Sequence, residues 1–88
     1  MKHASDTALA RLEPLLNKLR RYETLKEKKH GIFYRRAVAF LHFHEDPAGI
    51  FADLKIGTEY GRYRVSSRAE QRKFLAEVRK VLGLSSPH

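Results

Sequence analysis

The sequence predicts an α+β domain, a two-layer sandwich in which an N-terminal and a C-terminal helix lie on the same face of a three- or four-stranded antiparallel meander. Three observations predict it. Leucines recur at spacings of three or four near the N-terminus, a period-two apolar pattern runs through the middle, and a capping box opens a second helical stripe near the C-terminus.

The first helix is read from Leu9, Leu12, Leu15, Leu16, Leu19, Tyr22 and Leu25, which line one stripe at 3.6 residues per turn. Pro14 suits a first turn and would kink an interior, so the regular helix is expected from about Glu13, with residues 1–12 a looser lead-in. Its end is expected at Gly31. The cations Lys26, Lys28, Lys29 and His30 would then sit in the last turn, where the helix dipole favours them.

Residues 31–65 are dense in β-branched and aromatic side chains and are cut by turn signals at Asp46 to Gly49, at Gly57 and around Glu59 to Gly61. A four-residue Asp46–Gly49 connection pairs Glu45 with Ile50, Phe43 with Ala52, His42 with Asp53 and Leu41 with Leu54. A five-residue connection would place His42 opposite Ala52. The first register is preferred, because it sorts Ala39, Leu41, Phe43, Ala52, Leu54 and Ile56 onto one apolar face. Arg36, His42, His44, Asp53 and Lys55 then share the other face. A strand over Tyr60–Val65 adds Tyr63 and Val65 to the core and Arg62 and Arg64 to the open face, and residues 31–36 are expected to be extended.

The last helix starts at the capping box Ser67 to Glu70, buries Phe74, Leu75, Val78, Val81 and Leu82, and stops at Gly83. Residues 84–88 read as a frayed tail. The 88 residues suffice for one domain with a single core. With no cysteine, neither a disulfide nor a thiolate metal site is available. No run reaches the roughly 18 apolar residues of a membrane span, and the N-terminus lacks the apolar stretch of a secretory signal, so a cytoplasmic location without membrane insertion is expected.

The formal net charge is +8. Lys and Arg exceed Asp and Glu by eight to four in residues 1–30, five to four in residues 31–65 and five to two in residues 66–88, so the excess lies at the two ends. Such a balance favours polyanions, nucleic acid being the commonest, and Lys26, Lys28, Lys29, Arg72 and Lys73 are the expected contacts. A surface that is cationic merely for solubility explains the same charge. The open sheet face offers a second platform of Arg36, Phe40, His42, His44, Phe51, Lys55, Arg62 and Arg64, on which bases could stack. A homodimer covering Val38, Phe40 and Phe51 explains those residues equally well.

Histidines at i and i+2 on a strand point to one side about 6.5–7 Å apart, so His42 and His44 could converge on an ion with Asp53 completing the site. The plain reading is a stabilising His42–Asp53 pair, with Glu45 and Asp46 serving the turn before Pro47. No resident metal or cofactor is expected on that reading. Without a nucleophile or pocket the pair does not make an enzyme. The favoured function is a non-catalytic binding module for an anionic partner, with metal or small-ligand binding at the His42/His44 hairpin as the alternative.

The helix, strands, helix order is similar in layout to the frataxin-like sandwiches, which carry an acidic first helix where this one is basic; the analogy implies no function. The segments from Ile32 to Arg36 and from Ala39 to Asp53 resemble more closely a group of short bacterial proteins to which no activity is attached. That resemblance covers roughly a quarter of the chain and implies a bacterial type of origin and a shared site.

Overall fold

The computed structural model describes residues 2–84. They form an α+β structure of three helices and a six-stranded antiparallel sheet. In chain order the elements are β1 (Lys2–His3), α1 (Asp6–Arg11), α2 (Glu13–Leu19), β2 (Leu25–Lys29), β3 (Ile32–Arg35), β4 (Val38–Asp46), β5 (Gly49–Ile56), β6 (Glu59–Arg64) and α3 (Arg68–Val81). Strands β2 to β6 lie side by side in sequence order, and β1 pairs with the end of β4 beyond the reach of β3. No helix among the described residues is long and apolar enough to cross a membrane.

The N-terminal leucine stripe is divided between two short helices. Ser5 caps α1 by accepting the Ala8 N–H at 3.2 Å, and the chain leaves helical geometry at Leu12 before Pro14 restarts it at the beginning of α2. The stretch read as a looser lead-in thus holds β1 and a capped helical turn. Leu9, Leu12, Leu15, Leu16 and Leu19 are all buried as the stripe requires.

The first helix does not run to Gly31, and the strands number six rather than three or four. Beyond Leu19 a continued helix would carry Lys26 to Lys29 and bury only Tyr22 and Leu25. As a strand the same residues pair with β3, matching Leu25 to Arg35, Lys26 to Tyr34 and Glu27 to Phe33, and β3 brings the fully buried Phe33 into the core. Gly31 is a hairpin turn and not a helix stop. Its φ is +78°, and a Cβ there would lie 2.6 Å from Leu9 Cδ2, so both backbone and packing call for glycine. Arg20 joins α2 to β2 by pairing with both Glu13 and Glu27, while Glu27 also accepts the Gly31 N–H at 2.9 Å. These contacts, that from Arg20 above all, hold the Glu27 carboxyl below its usual range.

The β4–β5 register has the predicted pairs, from Leu41 with Leu54 to Asp46 with Gly49. Asp46 Oδ1 accepts the Ala48 N–H at 2.7 Å and fastens the turn. Two departures from strict alternation matter. Between β3 and β4, Phe33 and Tyr34 face three residues, Ala39, Phe40 and Leu41, so Phe40 is the extra residue of a bulge. Phe40 therefore joins Leu41 in the hydrophobic core instead of lying on the open face. Ile56, expected in the core, is exposed at the strand end.

The C-terminal helix has its capping box, with Ser67 and Glu70 each accepting the other's backbone N–H. Phe74 and Val78 are buried, and Leu75, Val81 and Leu82 are partly buried against the same core. Gly83, at φ +74°, ends it as expected. Of the tail read as frayed, residues 85–88 lie outside the described residues. One hydrophobic cluster joins the leucines of α1 and α2, Phe74 and Val78 of α3, and Phe33, Phe40, Leu41, Phe43, Ile50, Ala52, Leu54 and Val65.

Candidate functional site

The candidate site follows from the alternation of β4. Leu41 and Phe43 point into the core, so His42 and His44 point away from it, and the register sets Asp53 opposite His42 and Arg62 opposite Asp53. Asp53 is the buried charged residue of the described chain, its side chain only 8% exposed. An unpaired carboxylate in that position would be costly. Arg62 meets it with a fork, Nε to Oδ1 at 2.8 Å and Nη2 to Oδ2 at 3.0 Å. That guanidinium first, and the two imidazoles after it, keep the Asp53 carboxyl below the usual range and therefore ionised at neutral pH.

His44 Nε2 lies 3.0 Å from Asp53 Oδ2 and 2.9 Å from His42 Nδ1, and His42 Nδ1 is 4.0 Å from the same oxygen. Burial, and then the neighbouring His44, push the His42 imidazole toward its neutral form. A single proton can lie between His42 Nδ1 and His44 Nε2, and which ring donates it depends on the tautomer. His44 Nδ1 is buried and has no hydrogen-bond partner among the described residues. Two ring nitrogens and a carboxylate oxygen thus converge on one point, which is the donor set that a small cation accepts once the nitrogens facing it are unprotonated.

Two neighbours escaped sequence reasoning. Pairing of β1 with β4 sets His3 opposite His44, its ring stacked on that of His44 at a centroid distance of 5.3 Å and lying 6.3 Å from that of His42. No periodicity announces a contact between residues 41 apart, so His3 had no signal. Tyr60 lies 5.2 Å from the His42 ring, and its hydroxyl donates to the Ala39 carbonyl at 2.9 Å. The turn at Gly57 already implied its pairing with Lys55, so Tyr60 could have been found.

The other expected site residues are dispersed. Lys55 sits 5.9 Å above the Tyr60 ring. Arg64 turns away to Ala48 O and to both oxygens of Glu70, bracing the start of α3. Arg36 stands at the β3–β4 turn beside Lys26, Lys28 and Tyr34. Lys29 lines a different groove with His3 and His30, while Arg72 and Lys73 are exposed on α3, so the five residues assigned to nucleic acid are not brought together. With Phe40 in the core, the apolar trio that suggested a dimer is not assembled either. Comparison with protein-family models, curated proteins and solved structures gives no match for this chain.

Proposed function

We propose that the protein is a small binding domain that holds a divalent first-row transition ion, zinc or ferrous iron, between His42 Nδ1, His44 Nε2 and Asp53 Oδ2. In this reading the helices cover one face of a two-layer sandwich and the other face carries the site. The observation that carries it is the spacing of the three atoms, 2.9, 3.0 and 4.0 Å. A tetrahedral ion with bonds of about 2.0–2.1 Å sets its ligand atoms about 3.3 Å apart, so side-chain shifts well under 1 Å complete the site. Two imidazoles and one carboxylate leave one or more positions for water or a ligand, as in catalytic rather than structural zinc sites. Arg62 orients the carboxylate, the part an outer-shell donor plays at such a centre. His3, stacked on His44, is a further donor beside the site. In the bacterial proteins that the hairpin resembles, the same residues would form the same centre.

The test is titration of the untagged, metal-free chain with Co²⁺, followed by visible absorption and calorimetry. A one-to-one complex with d–d bands, competed by zinc and lost in His44→Ala and Asp53→Asn but kept in His30→Ala, is the expected result. Equal binding by His44→Ala, or none by the native chain, would remove the proposal.

A further inference from the structure

We infer that the outer strip of the sheet over β2, β3 and the β3–β4 turn is a docking surface for single-stranded nucleic acid, with Lys26, Lys28 and Arg36 on phosphates and Tyr34 under a base. The sequence placed these lysines on a helix; as part of β2 they belong to the sheet. Lys26 pairs directly with Tyr34 across the β2–β3 ladder, and neighbours in a ladder share a face. The Lys28 ammonium stands 4.7 Å over the Tyr34 ring, and Arg36 lines the same groove. Cations grouped around an aromatic ring are the pairing by which sheet surfaces grip unstacked bases, with the flexible Lys28 side chain moving from the ring to a phosphate as a base stacks.

Charge complementarity fits this strip, and the ring of Tyr34 among its cations distinguishes it from the equally acid-free groove of Lys18, Arg68 and Arg72 on the helices. Among the described residues Arg20, Arg62, Arg64 and Lys80 each have a carboxylate within ion-pair distance, whereas Lys26, Lys28 and Arg36 have none. The groove residues themselves are Thr24, Lys26, Lys28, Tyr34, Arg36 and Ala37, with no acid among them. A solubilising surface needs no particular backbone, yet here the turn that presents Arg36 is held at cost. Arg36 and Ala37 both take left-handed conformations, φ +53° and +66°, in a two-residue hairpin turn between Arg35 and Val38. Such turns favour Asn-Gly, and strained non-glycine residues cluster at functional surfaces. The strip continues across the sheet: Tyr34 pairs with Ala39, whose carbonyl holds the half-exposed Tyr60 beneath Lys55, a second ring and cation on the path of one strand. Duplex, with its bases already stacked, could use the cations but not the rings, so the preference is for single strands.

The experiment is fluorescence anisotropy with a labelled 20-nucleotide oligothymidylate, a 20-nucleotide RNA and a duplex of equal length, at 50 and 200 mM KCl. The native chain is expected to prefer the single strands, with log K against log salt falling at a slope of about −2, as about three neutralised phosphates imply. Lys28→Glu with Arg36→Glu should weaken binding at least tenfold, and Tyr34→Ala about tenfold, with both variants shown folded by circular dichroism. Arg72→Glu with Lys73→Glu on α3 should change it less than twofold. Absence of binding at 50 mM KCl, a preference for duplex, an unaffected Tyr34→Ala, or an equal loss from the α3 pair would each overturn the inference. So would binding only to phosphatidylserine vesicles or to a polyglutamate peptide. His44→Ala, which tests the metal centre, should leave oligonucleotide affinity intact, and Tyr34→Ala should leave zinc binding intact, so the two proposals stand or fall separately.

Discussion

Zinc should raise the melting temperature of this protein, and the size of the rise follows from the geometry. Four-ligand structural zinc sites bind with about 10–16 kcal/mol, so three ligands are worth roughly 8–12 kcal/mol. One outer-shell partner is missing: coordination through His44 Nε2 puts its proton on Nδ1, which is buried without an acceptor among the described residues. Loss of such a partner typically costs a factor of about 10–100 in affinity, leaving roughly 6–10 kcal/mol and a Kd near 1 μM. Little is spent on ordering, because β4 and β5 already hold the donors 2.9–4.0 Å apart. At about 100 μM free zinc, one site with that Kd adds about 2.7 kcal/mol, which for a domain of this size means a rise of roughly 10–20 °C. Thermal scans by circular dichroism with and without zinc, in a buffer that does not bind metal, measure it. The rise should vanish in His42→Ala and His44→Ala and persist in His30→Ala. A native shift under about 3 °C, or one that survives His44→Ala, would refute the reasoning.

Phe74 is 1% exposed and packs edge-on against Phe43 at 6.4 Å and tilted against Tyr63 at 5.5 Å, so Phe74→Ala should cost about 3–5 kcal/mol in urea unfolding; under about 1 kcal/mol would mean α3 is packed in another phase. The Glu27 carboxyl is held low by Arg20, so its contribution is present above the unfolded carboxylate pKa of about 4.5 and is lost as pH falls through the lower folded value. The stability gap between native and Glu27→Gln should therefore be constant at neutral pH and shrink as pH falls below the unfolded carboxylate value, whereas a gap that widens in acid has the wrong sign. Ala37, at φ +66°, should prefer to be glycine: Ala37→Gly is expected to stabilise by about 0.5–1 kcal/mol despite the added freedom of the unfolded chain, and a loss would show that the turn is not left-handed there.

The candidate site was legible in the sequence wherever one face of the sheet is buried. Leu41, Phe43, Ala52 and Leu54 are all at or below 2% exposure, and a one-residue slip would expose them, so the alternation alone specifies the partner of His42. Three other features were ambiguous for physical reasons. Leu19, Tyr22 and Leu25 continue a helical spacing, yet the strand from Leu25 gains a whole ladder from β3, a tertiary contribution that local periodicity does not report. Gly31 at positive φ is equally at home after a helix or in a hairpin turn, so it could not arbitrate. The bulge at Phe40 breaks the period of two within one strand, and no residue type marks it. His3 reaches the site only because β1 extends β4 past the end of β3, and a two-residue strand has no pattern of its own.

The same balance decides what holds the two histidines beside Asp53: the turn or the core. An extra glycine between Pro47 and Ala48 could be absorbed in the loop or could shift β5 by one residue against β4. Absorption loses the Asp46–Ala48 hydrogen bond, worth about 0.5–1.5 kcal/mol net, and adds a small loop-closure term of a few tenths. A shift would turn Ile50, Ala52 and Leu54 out of the core, at about 1.5–3 kcal/mol for each of the two large side chains, and would bring the Asp53 charge in. The core therefore wins by several kcal/mol, and the insertion variant should stay folded with His42 opposite Asp53 and zinc affinity within about threefold of native. Cross-strand nuclear Overhauser contacts read the register directly, and calorimetry reads the metal. A folded insertion variant with His42 beside Ala52 and no zinc binding would show that the turn, and not the buried face, sets the geometry of the site.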